Sequence, residues 1–518
     1  MLLAGFVLRT IHLQHRSLWY DEAFAVLYGS LSPARMLYGT VTPVPGAGAA
    51  DVHPLLYYFL LHGWMKLVGR SPLAVRFLSV ILGTVTVALL WRLAAWCFDR
   101  RTGMVVGLLA AVNPFHVAYS QETRMYALLG LGATLAGSGL LRALASPRQG
   151  GSGRDTRRAR TGNRRGRSLL VRALDDEDWP AWGLYAVGAA LTLYAHGLGA
   201  FVLLALHVVV LCHPRWWLRI PPLVLADLIT LTLFSPWLVG VLPGQMAFAT
   251  RGYWLTPPGP TEFVRALMLP VLTFYEPAPQ WLLGMGLFTG LLSLALLVLQ
   301  SWRRRSQARW FLVLSWCPIL VLFAVSQWQP LYLERALLPS ALFYAVSLGW
   351  LLARGRLPNL LRRMLVLLLA LSTAGSLINH FRYVGFPRPP FQEASAYLED
   401  HVQPGDVVVH TDKLTYFPMH LYAPQLPAKF RADPPGSPED TLAQPTQEAL
   451  GIFATAGITE AVDTADRVWV VYFERELVEH AAATVSQHPV TWLEHHFVRH
   501  RQMRFDDLAV RLYQERRP

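Results

Sequence analysis

Carboxylates and guanidinium groups recur beside aromatic residues at the ends of apolar runs, where they could do chemistry. Asp21 and Glu22 follow Trp19 and Tyr20, an aromatic pair typical of a membrane interface. A carboxylate in such a place can serve as a general base. A solvated acidic pair beside an aromatic belt is the alternative, and the residue types alone leave both interpretations open.

Two arginines stand out by their positions. Arg124 follows Glu122 after an apolar run, and Arg335 follows Glu334 after another. If the N-terminus is cytoplasmic, both arginines lie on the outer side of the membrane. Positively charged residues are usually more frequent on the cytoplasmic side. Such positions favour an anionic partner, because guanidinium binds phosphate oxygens through paired hydrogen bonds. A local ion pair between Glu122 and Arg124 is the alternative.

Two histidines are weaker candidates for a site. His53 precedes a proline, and His196 ends an apolar run; each is either structural or part of a site. No spacing of histidines, cysteines or carboxylates resembles a zinc site, and no phosphate-binding loop or nucleophile elbow is present. The sequence predicts no metal site and no cofactor, although it does not exclude a divalent metal.

The composition indicates an integral membrane protein that positions these residues on bundled helices. The chain has 518 residues, 53% of them apolar and only 15% charged, with a mean hydropathy of +0.33. Lipid leaves no backbone group unpaired, so helices must span it. The net charge of +13 resides in short clusters between apolar runs. That distribution is typical of cytoplasmic loops and argues against nucleic acid as a partner.

When the N-terminus is placed in the cytoplasm, the apolar runs predict roughly eleven crossings of the membrane. The membrane is predicted to be the inner or plasma membrane of a cell. The predicted crossings are Met1 to Leu13, Pro72 to Phe98, Gly103 to Val117, Met125 to Ala145, Trp182 to Tyr194, Ala200 to Cys212, Pro222 to Leu242, Trp281 to Leu299, Trp310 to Val325, Ala336 to Leu352 and Met364 to Ile378. Residues 1–380 then form a transmembrane domain with an external loop at 15–70 and a basic cytoplasmic loop at 146–178. Residues 381–518 lie outside the cytoplasm.

Both external segments carry structure of their own. Residues 53–69, with Tyr57 among aliphatic residues, predict an amphipathic helix lying in the interface. The first apolar run is interpreted as a crossing rather than a signal peptide, since no small-residue cleavage site follows it. The tail predicts a small α/β domain with helices at 391–400 and 474–487 and strands at 406–410, 467–473 and 504–513.

Several motifs resemble the type C fold glycosyltransferases, which include dolichyl-phosphate-mannose protein mannosyltransferases and bacterial lipid A aminoarabinose transferases. The matching segments are Ser17 to Ala23 (SLWYDEA), His53 to Tyr58 (HPLLYY), Ser120 to Tyr126 (SQETRMY), Tyr194 to His196 (YAH) and Ser235 to Leu238 (SPWL). The Asp-Glu pair is the most specific of them. The likeness extends over most of the first 380 residues.

The resemblance implies a sugar transferase with a polyprenyl-phosphate monosaccharide donor and an extracytoplasmic site. Asp21 would be the base on an acceptor hydroxyl, with inversion at the sugar, and Glu22 would support it. Arg124 and Arg335 would hold the donor phosphate. His53, Tyr57, Glu122, Tyr126 and His196 are further site candidates. The sugar stays open, as does the acceptor, which could be protein, lipid or glycan. The stretch between Tyr38 and Asp51 would be part of the acceptor-facing loop, and it matches no pattern of the family.

Two other classes of function compete with a transferase. A polysaccharide or lipid-linked glycan transporter would place ionisable residues in mid-membrane and show internal repeats, neither of which is evident in the sequence. A scaffold without catalytic activity would leave the two external arginines without a ligand.

Overall fold

The computed structural model describes residues 1–44, 48–49, 53–145, 178–249, 255–272, 277–434, 442–462, 465–482 and 488–516. Residues 146–177 of the predicted basic loop lie outside these ranges, as do residues 45–47 and 50 of the stretch between Tyr38 and Asp51. Helices of the first half are α1 (Leu2–Thr10), α2 (Tyr20–Gly29), α3 (Pro33–Val41), α4 (Leu56–Val68), α5 (Pro72–Cys97), α6 (Arg100–Val112), α7 (Pro114–Ser120), α8 (Tyr126–Ala145), α9 (Trp179–Ala195), α10 (Gly199–Leu211), α11 (Ile220–Gly240) and α12 (Leu242–Ala249).

The remaining helices and the strands follow in chain order. The helices are α13 (Pro260–Met268), α14 (Gln280–Arg303), α15 (Ala308–Val325), α16 (Leu338–Arg354), α17 (Asn359–Arg382), α18 (Phe391–His401), α19 (Lys413–Tyr422), α20 (Gln444–Leu450), α21 (Ile458–Val462), α22 (Glu474–Ala482) and α23 (Pro489–His496). The strands are β1 (Pro43–Val44), β2 (Gly48–Ala49), β3 (Val407–His410), β4 (Ala428–Phe430), β5 (Arg467–Phe473), β6 (Phe497–Phe505) and β7 (Leu508–Arg516).

The fold is mainly helical, as predicted, and the chain is a multi-pass membrane protein. Within the described ranges, 7 helices are long and apolar enough to cross a bilayer, or up to 8 if the bent pair α6 and α7 is one span. Their outward faces carry bare apolar side chains, as lipid contact requires; Leu228 is 54% exposed and Leu367 is 58% exposed. The predicted count of eleven is not confirmed. Three of the eleven predicted crossings correspond to α1, α9 and α10. These helices have 9, 17 and 13 residues and are not among the helices long enough to span a bilayer.

The segment predicted to be external, residues 15–70, contains helices that pack onto the bundle. Residues 53–69 contain α4, which buries Tyr57, Tyr58 and Met65 and leaves Leu67 81% exposed. The predicted helix is therefore confirmed, and its two unlike faces agree with an amphipathic helix. Between α3 and α4, β1 and β2 form a short antiparallel pair.

The small α/β domain predicted for the tail is also present. Its sheet has the order β4-β3-β5-β7-β6, in which β3 is parallel to β4 and β5, while β7 is antiparallel to β5 and β6. β5 covers the seven residues predicted for it, and β3 and α18 lie within a residue of their predicted ends. The predicted alternating stretch at 504–513 is a hairpin that turns at Asp506, where φ is +60°.

The tail packs onto the segment at residues 15–70. α20 lies against α3, where Thr446 donates a hydrogen bond to the carbonyl of Gly39 at 2.8 Å. A side chain at Gly39 would meet the Tyr28 hydroxyl at 2.7 Å and the Ala449 side chain at 2.8 Å, so only glycine permits this approach. The Tyr422 hydroxyl accepts a hydrogen bond from the Leu18 amide at 2.8 Å, two residues before α2.

Candidate active site

Asp21 binds the two arginines that the sequence analysis predicts to lie on its side of the membrane. Arg335 Nη1 donates a hydrogen bond to Asp21 Oδ2 at 2.6 Å, and Arg124 Nε lies 3.9 Å from the same oxygen. The three residues are up to 314 positions apart in the chain. Burial alone would raise the pKa of Asp21, but the two arginines outweigh it and lower that pKa, so the carboxylate stays ionised.

The N-terminus of α2 positions both acidic residues. Trp19 is extended and caps the helix, which puts Asp21 and Glu22 in its first turn, where the helix dipole favours negative charge. Consecutive helical residues point about 100° apart. The two carboxylates therefore face different partners.

Glu22 is buried in a rigid ion pair. Its side chain is 0% exposed and accepts two hydrogen bonds from Arg76, at 2.8 and 2.6 Å. The amide of Thr123 donates a third at 3.0 Å. Arg76 also donates to the carbonyls of Leu13, Arg16 and Ser17, so this pair fixes the chain that leads into α2.

The break between α7 and α8 supplies the next group of site residues. α7 ends at Ser120 and α8 begins at Tyr126, and the residues between them are buried although they are irregular and polar. Gln121 holds this break in place by donating to the carbonyls of α1 and its C-terminal turn, the shortest of these bonds being 2.8 Å to Ile11. The break carries Glu122 and Arg124 toward α2.

Glu122 has weak partners for a buried carboxyl group. It is 2% exposed, its Oε2 lies 3.8 Å from Arg388 Nη2, and its Oε1 has no hydrogen-bond partner among the described residues. Burial raises the pKa of Glu122 to about 7, and the charge of Glu22 adds to this against the opposing effect of Arg388. The alternative of a local ion pair with Arg124 is not formed by the side chains; the Arg124 amide donates a hydrogen bond to the Glu122 carbonyl at 2.8 Å.

Two of the remaining candidates line the same side of Asp21 as Arg335. The Arg335 guanidinium lies 5.4 Å from the centre of the Tyr126 ring, and the rings of Tyr126 and His196 are 6.1 Å apart. His53 stacks edge-on against His196 at 5.7 Å. Burial, together with repulsion from His53 and Arg335, lowers the pKa of His196 well below its usual value, so the ring is neutral at pH 7.

Tyr57 and its neighbour Tyr58 have different hydrogen-bond partners. The hydroxyl of Tyr57 bonds to Ser79 of α5 at 3.2 Å. The hydroxyl of Tyr58 instead accepts a hydrogen bond from Arg124 at 3.3 Å. Tyr58 is therefore a contact residue that the sequence analysis missed, although the matching motif contains it.

Buried polar atoms with no hydrogen bond concentrate around Asp21. The atoms without a hydrogen-bond partner among the described residues include Glu122 Oε1, Thr123 Oγ1, Arg124 Nε, the Tyr126 hydroxyl and His196 Nε2. His196 Nδ1 accepts from the Leu198 amide at 3.1 Å, which leaves the proton on Nε2 as a donor. Buried polar groups are normally paired, so such a group of atoms indicates a place where a polar ligand binds.

Two arginines of the site were not predicted. Arg76 lies in the first turns of a long apolar helix, and an ionisable residue in that setting is a signal that could have found it. Arg388 follows the last membrane helix and reaches Glu22 at 3.8 Å and Glu122 at 3.8 Å. Nothing in its proline-rich surroundings marks it in the sequence.

The structure places an ionisable residue well inside a span, although none in mid-membrane was evident from the sequence. Asp227 is the eighth residue of α11. Its carboxylate accepts hydrogen bonds from the Tyr185 hydroxyl at 2.6 Å and from His207 at 2.8 Å, which joins α9, α10 and α11. No three of the histidine, cysteine, aspartate or glutamate side chains in the described ranges lie close enough together to hold a metal ion.

Comparisons with known proteins find the same fold. The sequence model of the family described as Dolichyl-phosphate-mannose-protein mannosyltransferase matches residues 52–151. The crystal structure of ArnT from Cupriavidus metallidurans in the apo state aligns with a TM-score of 0.59 at 14% identity, over 99% of this chain and 96% of that chain. The structure of ArnT from Cupriavidus metallidurans bound to undecaprenyl phosphate aligns with a TM-score of 0.59 at 12% identity, over 98% and 96%.

No curated protein sequence matches the chain. The match to residues 52–151 includes the break with Glu122 and Arg124 but not Asp21. The structural alignments run over nearly the whole chain, including the tail domain. The chain has the fold of the type C glycosyltransferases, and the resemblance indicated by its motifs is confirmed.

Proposed function

We propose that the protein is a glycosyltransferase that moves a monosaccharide from a polyprenyl-phosphate donor to an acceptor hydroxyl at the extracytoplasmic face of a cell membrane. One observation carries the proposal: an ionised carboxylate is shared by two buried arginines, and buried polar atoms with no hydrogen-bond partner among the described residues surround it. The similarity to ArnT, whose structure is known bound to undecaprenyl phosphate, supports a donor of this class.

The charge balance of the site favours an anionic ligand. Among the described residues, the guanidinium groups of Arg76, Arg124, Arg335 and Arg388 stand against the carboxyl groups of Asp21, Glu22 and Glu122, and the pKa of Glu122 is about 7. Buried positive charge without an equal negative charge is costly. A lipid phosphate would supply the missing charge and accept hydrogen bonds from Arg124 Nε.

Donor binding also prepares the base. The phosphate oxygens compete with Asp21 for Arg124 and Arg335, and these two arginines are what lowers the pKa of Asp21. As the arginines turn to the phosphate, the carboxylate becomes more basic. An acceptor hydroxyl beside it can then transfer its proton.

The proposed reaction is a single displacement that inverts the anomeric carbon. The acceptor oxygen forms a bond to that carbon while its proton passes to Asp21. The bond between the carbon and the phosphate oxygen breaks, and its electron pair leaves with the polyprenyl phosphate. Arg124 and Arg335 stabilise the charge that grows on this leaving group, a contribution of about 3 to 4 kcal/mol for one such donor in other enzymes. Asp21 then releases its proton to water.

The decisive experiment uses the purified full chain in lipid nanodiscs with radiolabelled polyprenyl-phosphate sugars, nucleotide sugars and a membrane extract as the acceptor source. We expect label to move only from polyprenyl-phosphate sugars. Asp21→Asn should lower the rate by about 10² to 10⁴, the usual contribution of a general base. Label that moves only from nucleotide sugars overturns the donor class.

A matched control separates loss of the base from loss of an ion pair. Asp99 pairs with Arg354 at 2.7 Å and caps α6, far along the chain from the site. Asp99→Asn also removes an aspartate from an arginine, yet it should leave the rate within about twofold, since exposed pairs contribute little. Full activity in a folded Asp21→Asn protein would remove Asp21 from the mechanism.

A further inference from the structure

A buried arginine connects α1 to the bend between α6 and α7. Arg9 is the eighth residue of α1 and is 0% exposed. Each of its five N–H groups has an acceptor among the described residues. The acceptors are the carbonyls of Gly5, Ala110 and Ala111, the hydroxyl of Ser120 and the ring nitrogen Nδ1 of His116. Arg9 therefore has no N–H group left for a ligand, and its role lies in what it holds together.

Two of these hydrogen bonds cap the end of α6. Arg9 Nη1 donates to the Ala111 carbonyl at 2.9 Å, and Nη2 donates to the Ala110 carbonyl at 3.3 Å. The last carbonyls of a helix lack donors within the helix. Pro114 has no N–H to offer the Ala110 carbonyl, and the chain bends there by 58° into α7. Arg9 supplies the donors that the bent backbone lacks.

Two more hydrogen bonds fix α7. Arg9 Nη2 donates to His116 Nδ1 at 2.9 Å, and Nε donates to Ser120 Oγ at 3.1 Å. Ser120 is the last residue of α7, and the break with Glu122 and Arg124 follows it. One guanidinium group therefore binds both sides of the bend, α6 through its carbonyls and α7 through two side chains.

The break binds α1 in return. Gln121 donates to three carbonyls at the C-terminal end of α1, among them that of Arg9 itself at 3.2 Å. α5 closes another side of this contact, because a Cβ atom at Gly83 would lie 2.2 Å from Ser120 Oγ and 3.2 Å from Arg9 Nε. The end of α1 and the residues around the break thus cap each other, and α5 limits the positions that they can take.

The position of the break determines two contacts of the candidate active site. The Thr123 amide donates to Glu22 at 3.0 Å, and Arg124 Nε lies 3.9 Å from Asp21. Only residues 121–123 separate the end of α7 from Arg124, so a shift of α7 moves both contacts. A misplacement of about 1 Å, even by a change far from the chemistry, can cost on the order of 10² in rate.

We infer that Arg9 is a positioning residue that sets the end of α7, so that Arg124 reaches Asp21 and the donor phosphate. The shape of the guanidinium group is what matters, because its planar fork reaches acceptors on α6 and α7 at once. The effect of Arg9 on transfer rests on the proposed function, whereas its effect on the break does not.

The first test measures the break and needs no sugar transfer. Arg9→Lys keeps the positive charge, but a single ammonium group cannot reach the acceptors on both helices. We expect amide hydrogen exchange at residues 121–125 to become about tenfold faster, as for the loss of a charge-assisted hydrogen bond. Mass spectrometry of the full chain in lipid nanodiscs measures it. Unchanged exchange in a folded Arg9→Lys protein overturns the inference.

The matched control is an arginine that donates to the backbone at another helix end. Arg362 of α17 donates to the Gly355 carbonyl, directly after α16, at 2.8 Å. Arg362→Lys should leave exchange at residues 121–125 within about twofold, since one exposed or half-buried contact elsewhere contributes little to this break. Equal acceleration by Arg362→Lys and Arg9→Lys would mean general loosening of the helices, and it overturns the inference.

The second test asks whether Arg9 acts through Arg124. Arg9→Lys should lower kcat for transfer from a polyprenyl-phosphate sugar about tenfold or more. In an Arg124→Gln background the same change should lower kcat by less than about twofold, because the group that it positions is already gone. A purely structural role would lower kcat by the same factor in both backgrounds, and that result overturns the inference.

A milder variant applies if Arg9→Lys does not fold, which thermal unfolding checks. Ser120→Ala removes one acceptor of Arg9 and adds no bulk beside Gly83. It should speed exchange at residues 121–125 about threefold, as for the loss of one hydrogen bond, and unchanged exchange in it overturns the inference. If the wild type transfers no sugar, the proposed function fails, and the exchange measurements still decide whether Arg9 holds the break.

Discussion

Asp21 and Glu22 are adjacent in the same helical turn, and both bind arginines, yet their surroundings differ. Glu22 is 0% exposed and has three hydrogen bonds of 3.0 Å or less. Asp21 is 13% exposed, with one short bond to Arg335 and a looser contact to Arg124 at 3.9 Å. The two carboxylates therefore differ in how many short hydrogen bonds the protein provides to each.

The arginine partners differ in the same way. Arg76 donates to Glu22 and to three backbone carbonyls. Arg124 makes only long contacts, of 3.3 Å to Tyr58 and 3.5 Å to the Asp21 carbonyl, and its Nε has no hydrogen bond among the described residues. A saturated pair stabilises the fold, whereas an unsaturated one retains capacity for a ligand. The proposed division of roles between Asp21 and Glu22 follows from this.

Breaking the saturated pair should have the largest effect. Glu22→Gln leaves Arg76 buried without its counter-charge, and loss of one partner of a buried ion pair costs about 3 to 5 kcal/mol. We expect a large fall in melting temperature, or loss of folded protein from the membrane. Fluorescence-detected thermal unfolding in detergent measures it.

The matched control for Glu22 is Glu334, an acidic residue in the exposed pair with Arg265 at 3.4 Å. Glu334→Gln should change the stability by at most about 1 kcal/mol. A Glu22→Gln protein that melts with the wild type would show that the Arg76 contacts to the backbone suffice without the carboxylate.

Arg335 tests the other side of the comparison. Arg335→Gln removes a cation from the proposed leaving group, so the transfer rate should fall about 10² to 10³. The fall should appear in kcat more than in KM, because the charge grows in the transition state. Stability should change less than in Glu22→Gln. The measurement is steady-state transfer from a polyprenyl-phosphate sugar.

Arg265 pairs with Glu334, the residue before Arg335. Arg265→Gln is therefore the control for the loss of a nearby arginine, and it should leave kcat within about twofold. If Arg335→Gln lowers the melting temperature as much as Glu22→Gln does and keeps its kcat, then Asp21 belongs to a structural pair like that of Glu22.

Topology explains why half of the site could be predicted. Threading the apolar runs through a membrane places Asp21, Arg124 and Arg335 on one side without any knowledge of packing, and the structure joins them. The pairing of Glu22 depends on tertiary packing instead. Arg76 was included in an apolar run, and Arg388 was assigned to the tail domain, so no local pattern linked them to Glu22.

The fold shows the same limit. Length and hydropathy locate the seven long spans, because about 20 apolar residues are needed to cross the bilayer. Those two properties do not decide the status of α1, α9 and α10, whose lengths of 9, 17 and 13 residues fall short. In the tail, β5 is apolar throughout and easily predicted, whereas β4 has three residues and too little pattern to detect.

Glu122 offers the smallest but most specific test, as a third carboxyl group between the other two. Burial raises the pKa of Glu122 to about 7. Its contribution to stability is therefore complete below the unfolded pKa of 4.5 and is lost as the pH rises through about 7, with a ceiling of about 3 kcal/mol. Glu122→Gln cannot ionise and lacks this loss. The variant should match the wild type near pH 5 and melt at a higher temperature than the wild type at pH 8.5.

The two melting curves distinguish a protonated Glu122 from one held ionised by Arg388, which lies 3.8 Å away. If Arg388 dominated, the pKa would fall below 4.5, and Glu122→Gln would be less stable than the wild type at every pH above that value. If the melting temperature of Glu122→Gln instead exceeds that of the wild type by more as the pH rises, Glu122 differs from both Asp21 and Glu22. It would be neither an ionised base like Asp21 nor a saturated counter-ion like Glu22, but a carboxyl group that is protonated below about pH 7 and can donate a hydrogen bond there.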